Sequence, residues 1–150
     1  MPGKVGWFAP DVPSERNDAD RLRAGDVARR DVPTCRLDEP MHEVRERVRS
    51  ARWDACVVVN EERVVFGLLR ERELAKEGSG PAERSMRPGP STFRPNVPIE
   101  EMAGYMVQHD LISSPITAAD GRLVGLLRRN DAVRVTLEIL GHHHEDPEGG

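Results

Sequence analysis

The sequence predicts an α/β fold made of two tandem β-α-β-β-α units, packed sheet to sheet in one compact module. Three observations carry this. Laid on itself with a shift of 58 residues, the chain places Thr34 over Thr92, Arg36 over Arg94, Pro40 over Pro98 and Glu43 over Glu101, and brings Gly67-Leu68-Leu69-Arg70 onto Gly125-Leu126-Leu127-Arg128 without a gap. Helix-period and strand-like stretches fall in register under the same shift, so the repeat is one of structure as well as of letters. The third is size: 150 residues with a 37% hydrophobic share suit one domain or two very small ones, and a unit of this length is marginal by itself, so the two should pack together.

The elements follow in order. Residues 1–24 read as an N-terminal extension: Pro2, Gly3, Pro10 and Pro13 disfavour a helix, and only the charged run Ser14 to Arg23 could begin one. Residues 25–78 form the first repeat and 79–140 the second, which includes a linker from Glu77 to Pro90 rich in Gly and Pro. Each repeat opens on a short strand, near Thr34-Cys35-Arg36 and Thr92-Phe93-Arg94. Asp38 and Asn96, just ahead of prolines, are placed to cap the helix that follows. In the first helix Met41, Val44, Val48 and Ala51 lie at helical spacing, and in the second Ile99, Met102, Ala103 and Met106 do the same. These methionines read as core. Strands Ala55 to Val59 and Ser114 to Ala118 come next, each joined by a polar turn to a second strand, Val64 to Leu69 or Leu123 to Leu127. Asp120-Gly121 marks the second turn most clearly, because Gly reaches positive φ cheaply. The second strands are apolar nearly throughout, as strands covered on both faces are. Helices Glu71 to Lys76 and Arg129 to Leu140 close the repeats, and Gly141 is read as a helix stop ahead of a flexible tail, residues 141–150.

Composition excludes several classes. A formal net charge of −4, with three Phe, one Tyr and two Trp, argues against a nucleic-acid binder that works by neutralising phosphates or stacking bases. No apolar run approaches the ~20 residues needed to span a bilayer. Met1 to Pro10 lacks the basic-then-apolar pattern of a signal peptide, so the cytoplasm is the expected location. Cys35 and Cys56, in apolar strand-like surroundings without a CxxC, read as reduced, buried thiols, not as a disulfide framework or zinc site. His142, His143 and His144 read as a solvated tail, and no metal site is expected. Nucleophile elbow, P-loop, HExxH and GxGxxG patterns are all absent from the sequence, and His42 and His109 lack an evident catalytic partner, so no enzyme is expected.

The repeat, its apolar second strand containing Gly-Leu-Leu and the acid six positions after that Gly together resemble a pair of cystathionine-β-synthase-type (CBS) domains, the Bateman module. The resemblance covers about Gly25 to Leu140. It is strongest in PITAADGRLVGLLRRNDAV and weaker in VVVNEERVVFGLLRERELA. It implies binding of an adenosine-containing ligand, AMP, ADP, ATP or S-adenosylmethionine, in clefts between the repeats, with no required cofactor, and regulation of an associated protein. It also implies a homodimer. With no room in the chain for an effector domain, the regulated activity is expected in another protein partner or in self-assembly.

The resemblance also assigns residues. The acid after the second strand would hold ribose hydroxyls, which falls on Asp131 and Glu73; a carboxylate suits this because both its oxygens accept. A solvated or helix-capping acid is the alternative for each. Where the family often has Thr or Ser three residues earlier, this chain has Arg128 and Arg70. These could grip a phosphate, reach across to an acid such as Asp54, or stand exposed at the strand end. The base would lie against Trp53, Asp54, Ala28 and Pro33 on the Asp131 side, and against Leu111, Ile112, Met86 and Ser91 on the Glu73 side. Trp53 is either an adenine-stacking ring or a core tryptophan, and Asp54 either accepts from the adenine amino group or caps a strand end. Two functions follow: a stand-alone adenosine-ligand sensor, or a ligand-free scaffold whose arginines are tied up in internal salt bridges and which serves dimerisation or protein interaction.

Overall fold

A computed structural model describes the backbone of residues 22–149 and the side chains of residues 22–141. Almost all of the expected N-terminal extension, and the side chains of the histidine run, lie outside the described residues. The first half contains α1 (Ala24–Val27), β1 (Thr34–Cys35), α2 (Met41–Ser50), β2 (Cys56–Val59), β3 (Val65–Leu69) and α3 (Glu71–Ala75). The second contains α4 (Ala82–Ser85), β4 (Arg87–Pro88), α5 (Ile99–Gln108), β5 (Ser113–Thr117), β6 (Leu123–Arg128) and α6 (Arg129–Gly149). From β1 to α3 and from α5 to α6 the order is the one the repeat predicts, whereas α1, α4 and β4 were not expected.

One sheet runs β1-β2-β3-β4, with β1 parallel to β2 and the other neighbours antiparallel. The other is the β5-β6 hairpin. The opening strand expected at Thr92-Phe93-Arg94 is reduced to a single parallel bridge from Phe93 to Ile116. Val57, Val59 and Leu68 of one sheet and Leu123 and Leu126 of the other share one buried cluster, so the repeats pack sheet to sheet. At the hairpin ends Val65 N donates to the Gly121 carbonyl at 3.0 Å and Leu123 N to the Arg63 carbonyl at 2.9 Å. These four residues are pairwise equivalent under the repeat, so a local two-fold relation passes between them. Gly121 has φ 89° and its equivalent Arg63 φ 70°, so the first turn holds in arginine a conformation that glycine adopts freely in the second.

The segment ahead of each repeat crosses to the other one. Ala24 and Ala28 are buried with Met102, Ala103, Met106 and Leu127 of the second repeat. Arg29 exchanges backbone hydrogen bonds of 2.8 and 3.0 Å with Leu126 on β6. Reciprocally, Ala82 and Met86 pack into the first repeat's core, and β4 adds to β3. The stretch read as a linker is therefore partly structural, because Ala82 has no exposed surface and Arg87 and Pro88 extend a sheet. Glycine makes both crossings possible: a Cβ at Gly125 would stand 2.8 Å from the Arg29 carbonyl oxygen, and one at Gly67 would meet Met86.

Three local expectations are corrected. Asp38 and Asn96 do not cap the helices, which begin after Pro40 and Pro98 with no side-chain cap. Backbone carbonyls of the crossing segments take that role, since Met41 N donates to Gly80 and Ile99 N to Leu22. Ala51 is exposed at the end of α2, whereas Met41, Val44 and Val48 and all four apolar positions of α5 are buried as expected. The last helix does not stop at Gly141 but continues to Gly149. Gly141 is absent from the residues with positive φ, so it serves as an interior helical residue at a cost of about 1 kcal/mol relative to alanine. Cys35 and Cys56 are free and buried, and the hydrogen bond to Cys35, together with burial, pushes the Cys56 thiol far up.

Candidate functional site

Strand β6 ends at Arg128 and β3 one residue before Arg70, and each leads directly into a helix. Arg70 and Arg128 therefore stand at the junctions, and the acids three residues on, Glu73 and Asp131, fall in the first turns of α3 and α6. A carboxylate there faces free backbone N–H groups and the positive end of the helix dipole. Glu73 uses this directly: its Oε1 accepts from Arg70 N at 2.7 Å and from Arg70 Nε at 2.9 Å, and its Oε2 accepts from Arg70 Nη2 at 2.5 Å. Its side chain is 7% exposed. Burial pushes the Glu73 carboxyl up, but its hydrogen bonds to Arg70 outweigh that and hold it below the usual range.

Asp131 is closed by different residues. Arg29, from the crossing segment, donates from Nε to Oδ2 at 2.9 Å and from Nη2 to Oδ1 at 3.2 Å, and Arg134 adds a bond of 2.8 Å to Oδ1. The Arg29 hydrogen bonds hold the Asp131 carboxyl below its ordinary value, against an opposing burial effect and with further help from Arg134. Arg128 is bonded elsewhere and not to Asp131. Its guanidinium carbon lies 4.1 Å from the centre of the Trp53 ring, and Nη2 donates to Asp54 Oδ1 at 3.2 Å.

Between the two junctions lies a cavity of about 460 Å³. Its walls contain Asp54 with its repeat equivalent Ile112, Ala55 with Ser113, Arg70 with Arg128, and Arg72 with Asn130, so it sits across the local two-fold relation. Three arginines, Arg70, Arg72 and Arg128, face it against Asp54 and Glu71. Such guanidiniums suit a phosphate, since each presents a planar fork of donors.

Of the twelve expected site residues, the cavity wall brings together Asp54, Arg70, Ile112 and Arg128. Glu73 and Asp131 are buried and lie outside the cavity wall. Trp53 is half-buried, lines an adjoining groove with Arg45 and Leu74, and has one face covered by Arg128. Ala28 and Pro33 are buried, and the Pro33 carbonyl accepts from Val57 N. Leu111 and Met86 pack partly buried against the two repeat cores. Ser91 is exposed, and its carbonyl accepts from Ser114 Oγ at 2.7 Å. Sequence reasoning missed Arg29, Arg134, Arg72 and Asn130. Arg72 and Asn130 were reachable, two positions beyond the strand-end arginines and equivalent under the repeat. Arg29 had no such signal, since its partner is 102 residues away.

The CBS domain family matches residues 24–80 and again 83–138. This chain belongs to the CBS-domain family. The two matches are the tandem repeats, and together they form a CBS pair. A protein of Methanopyrus kandleri, uncharacterized protein MK0525, is 29% identical over 133 residues, covering 83% of this CBS pair's chain and 68% of its own. Among solved structures, CBSX2 in complex with AMP superposes with a TM-score of 0.69 at 20% identity over 79% of this chain and 98% of that one. The cytosolic domain of the Mg2+ channel MgtE in complex with ATP gives a TM-score of 0.69 at 25% identity over 76% of this chain. The CBS pair spans about half of that domain, 48%. Among the described residues no helix is long and apolar enough to cross a membrane, and no group of three or more His, Cys, Asp or Glu is placed to hold a metal.

Proposed function

We propose that this CBS pair is a regulatory module that binds an adenine nucleotide in the cavity between its repeats and passes the occupancy on to a partner protein. The observation that carries this reading is that the strand-end arginines of both repeats, Arg70 and Arg128, line one cavity. AMP and ATP in the two structural relatives point to the same ligand class. The arginines take the phosphates, and a first-turn carboxylate takes the ribose hydroxyls. S-adenosylmethionine, with a positive sulfonium and no phosphate, suits a wall of three arginines less well.

Titrating ATP, AMP and S-adenosylmethionine calorimetrically against the protein and its Arg128→Gln variant tests this. ATP binding that weakens about tenfold in the variant is the expected result, the cost of one charge-assisted contact. A second reading is favoured by the ion pairs themselves: Arg70, Arg128, Glu73 and Asp131 all have internal partners, as they would in a ligand-free scaffold that only holds a partner protein. Failure of ATP, AMP and S-adenosylmethionine to bind selects that reading, and nucleotide released from the purified, denatured protein excludes it.

A further inference from the structure

The two sides of the cavity are built from equivalent positions but connected differently, and the difference traces to one pair of residues. Trp53 and Asp54 precede β2; their repeat equivalents before β5 are Leu111 and Ile112. Arg128 therefore meets a ring and a carboxylate and is held by both. Arg70 has across the cavity Ile112, 67% exposed, which offers neither charge nor hydrogen bond. It folds back onto Glu73. Asp131, left by Arg128, is closed instead by Arg29 and Arg134. The equivalents of those two, Arg87 and Lys76, make no ion pair among the described residues, so Arg70 alone neutralises Glu73.

What closes each carboxylate decides what a ligand can open. Arg70 lines the cavity, so an anion entering it reaches the guanidinium that covers Glu73. Arg29 and Arg134 are outside the cavity wall, so the same anion leaves Asp131 covered. We propose that ligand enters only on the Glu73 side, and that it does so by exchange: a phosphate draws Arg70 off Glu73, and the freed carboxylate accepts the two ribose hydroxyls. No buried charge is left alone in this exchange, because Arg70 passes from one anion to another while Glu73 passes from a cationic donor to two hydroxyl donors. A nucleoside without phosphate must break the Arg70–Glu73 pair and offers Arg70 no anion in return, so phosphate is required for the ribose to bind well. This inference rests on the adenine-nucleotide reading and adds to it a stoichiometry, a side and a gating residue.

Calorimetric titration of the intact protein with ADP and with adenosine tests it. One ADP per chain, with adenosine at least ~10-fold weaker, is the expected result, because a charge-assisted pair must otherwise be broken without replacement. In Arg70→Gln the ADP affinity should fall while adenosine binds more tightly than it does to the natural chain, an outcome that loss of a simple phosphate contact does not produce. Two ADP per chain, equal affinities for ADP and adenosine, or an Arg70→Gln variant that leaves adenosine binding unimproved overturns the exchange and leaves the nucleotide reading standing. Absence of binding by ADP, ATP and AMP overturns both.

Discussion

Glu73 and Asp131 occupy the same place in the repeat, yet one is neutralised by the arginine three residues before it and the other by an arginine from a distant segment. The acids and strand-end arginines were legible in the sequence because a local periodic pattern places them. The choice of partner was not, because it depends on Trp53 and Asp54 attracting Arg128 across the cavity. The ion pairs have a consequence for acid stability. Arg29 holds Asp131 below its ordinary range, Arg47 does the same for Glu39, and at Glu73 Arg70 outweighs burial. In the unfolded chain these carboxyls titrate near pH 4, so below that range the unfolded state binds more protons and stability falls with pH. The thermal midpoint should therefore stay level from pH 7 to pH 5. It should drop as pH enters the carboxylate range and keep dropping through the lowered folded values. A midpoint unchanged at pH 3 contradicts these pairings.

At the scale of elements, helices α2 and α5 and the two hairpins were readable because their apolar spacing is local. The crossing segments were not. A stretch such as Glu77 to Pro90, rich in glycine and proline, has the composition of a connection, and only tertiary packing shows that Ala82 fills a core and that Arg87 pairs with Leu68. The same crossings explain the Gly-Leu-Leu motif, since each glycine lets a foreign backbone approach the strand. The two sites differ in what they touch. At Gly125 an added Cβ meets the Arg29 carbonyl oxygen at 2.8 Å, whereas at Gly67 it meets the flexible Met86 side chain first. Gly125→Ala should therefore destabilise by about 1–3 kcal/mol, the range of overpacking that shifts backbone, and Gly67→Ala by clearly less. Comparing the two thermal midpoints checks this, and a larger loss at Gly67 contradicts the crossing geometry. The prolines ahead of both helices misled the capping expectation for a related reason: the orphan N–H groups find backbone carbonyls supplied by the crossing segments.

At the scale of the whole molecule, the reciprocal crossing makes the repeats interdependent. Residues 24–80 alone would leave Ala24 and Ala28 without the second repeat's core, and would expose the inter-repeat face of Val57, Val59 and Leu68. That fragment should show no cooperative thermal unfolding, whereas the pair should unfold as one unit; a cooperative transition in the isolated fragment would show that the crossing is dispensable. The same interdependence places the cavity where both repeats contribute equivalent walls, so a ligand that fills it bears on both at once.

If the shared, arginine-lined cavity takes an adenine nucleotide as proposed, ATP should stabilise the fold, and thermal unfolding with and without ATP reads this out. At 100 times its dissociation constant a ligand bound only by the folded state adds about 2.7 kcal/mol, a midpoint rise of several degrees for a chain of this size. Nucleotide binding in this cavity should give that rise with ATP, a markedly smaller one in Arg128→Gln, and little change with S-adenosylmethionine at equal concentration. An unchanged midpoint with ATP, ADP and AMP up to millimolar concentration contradicts it.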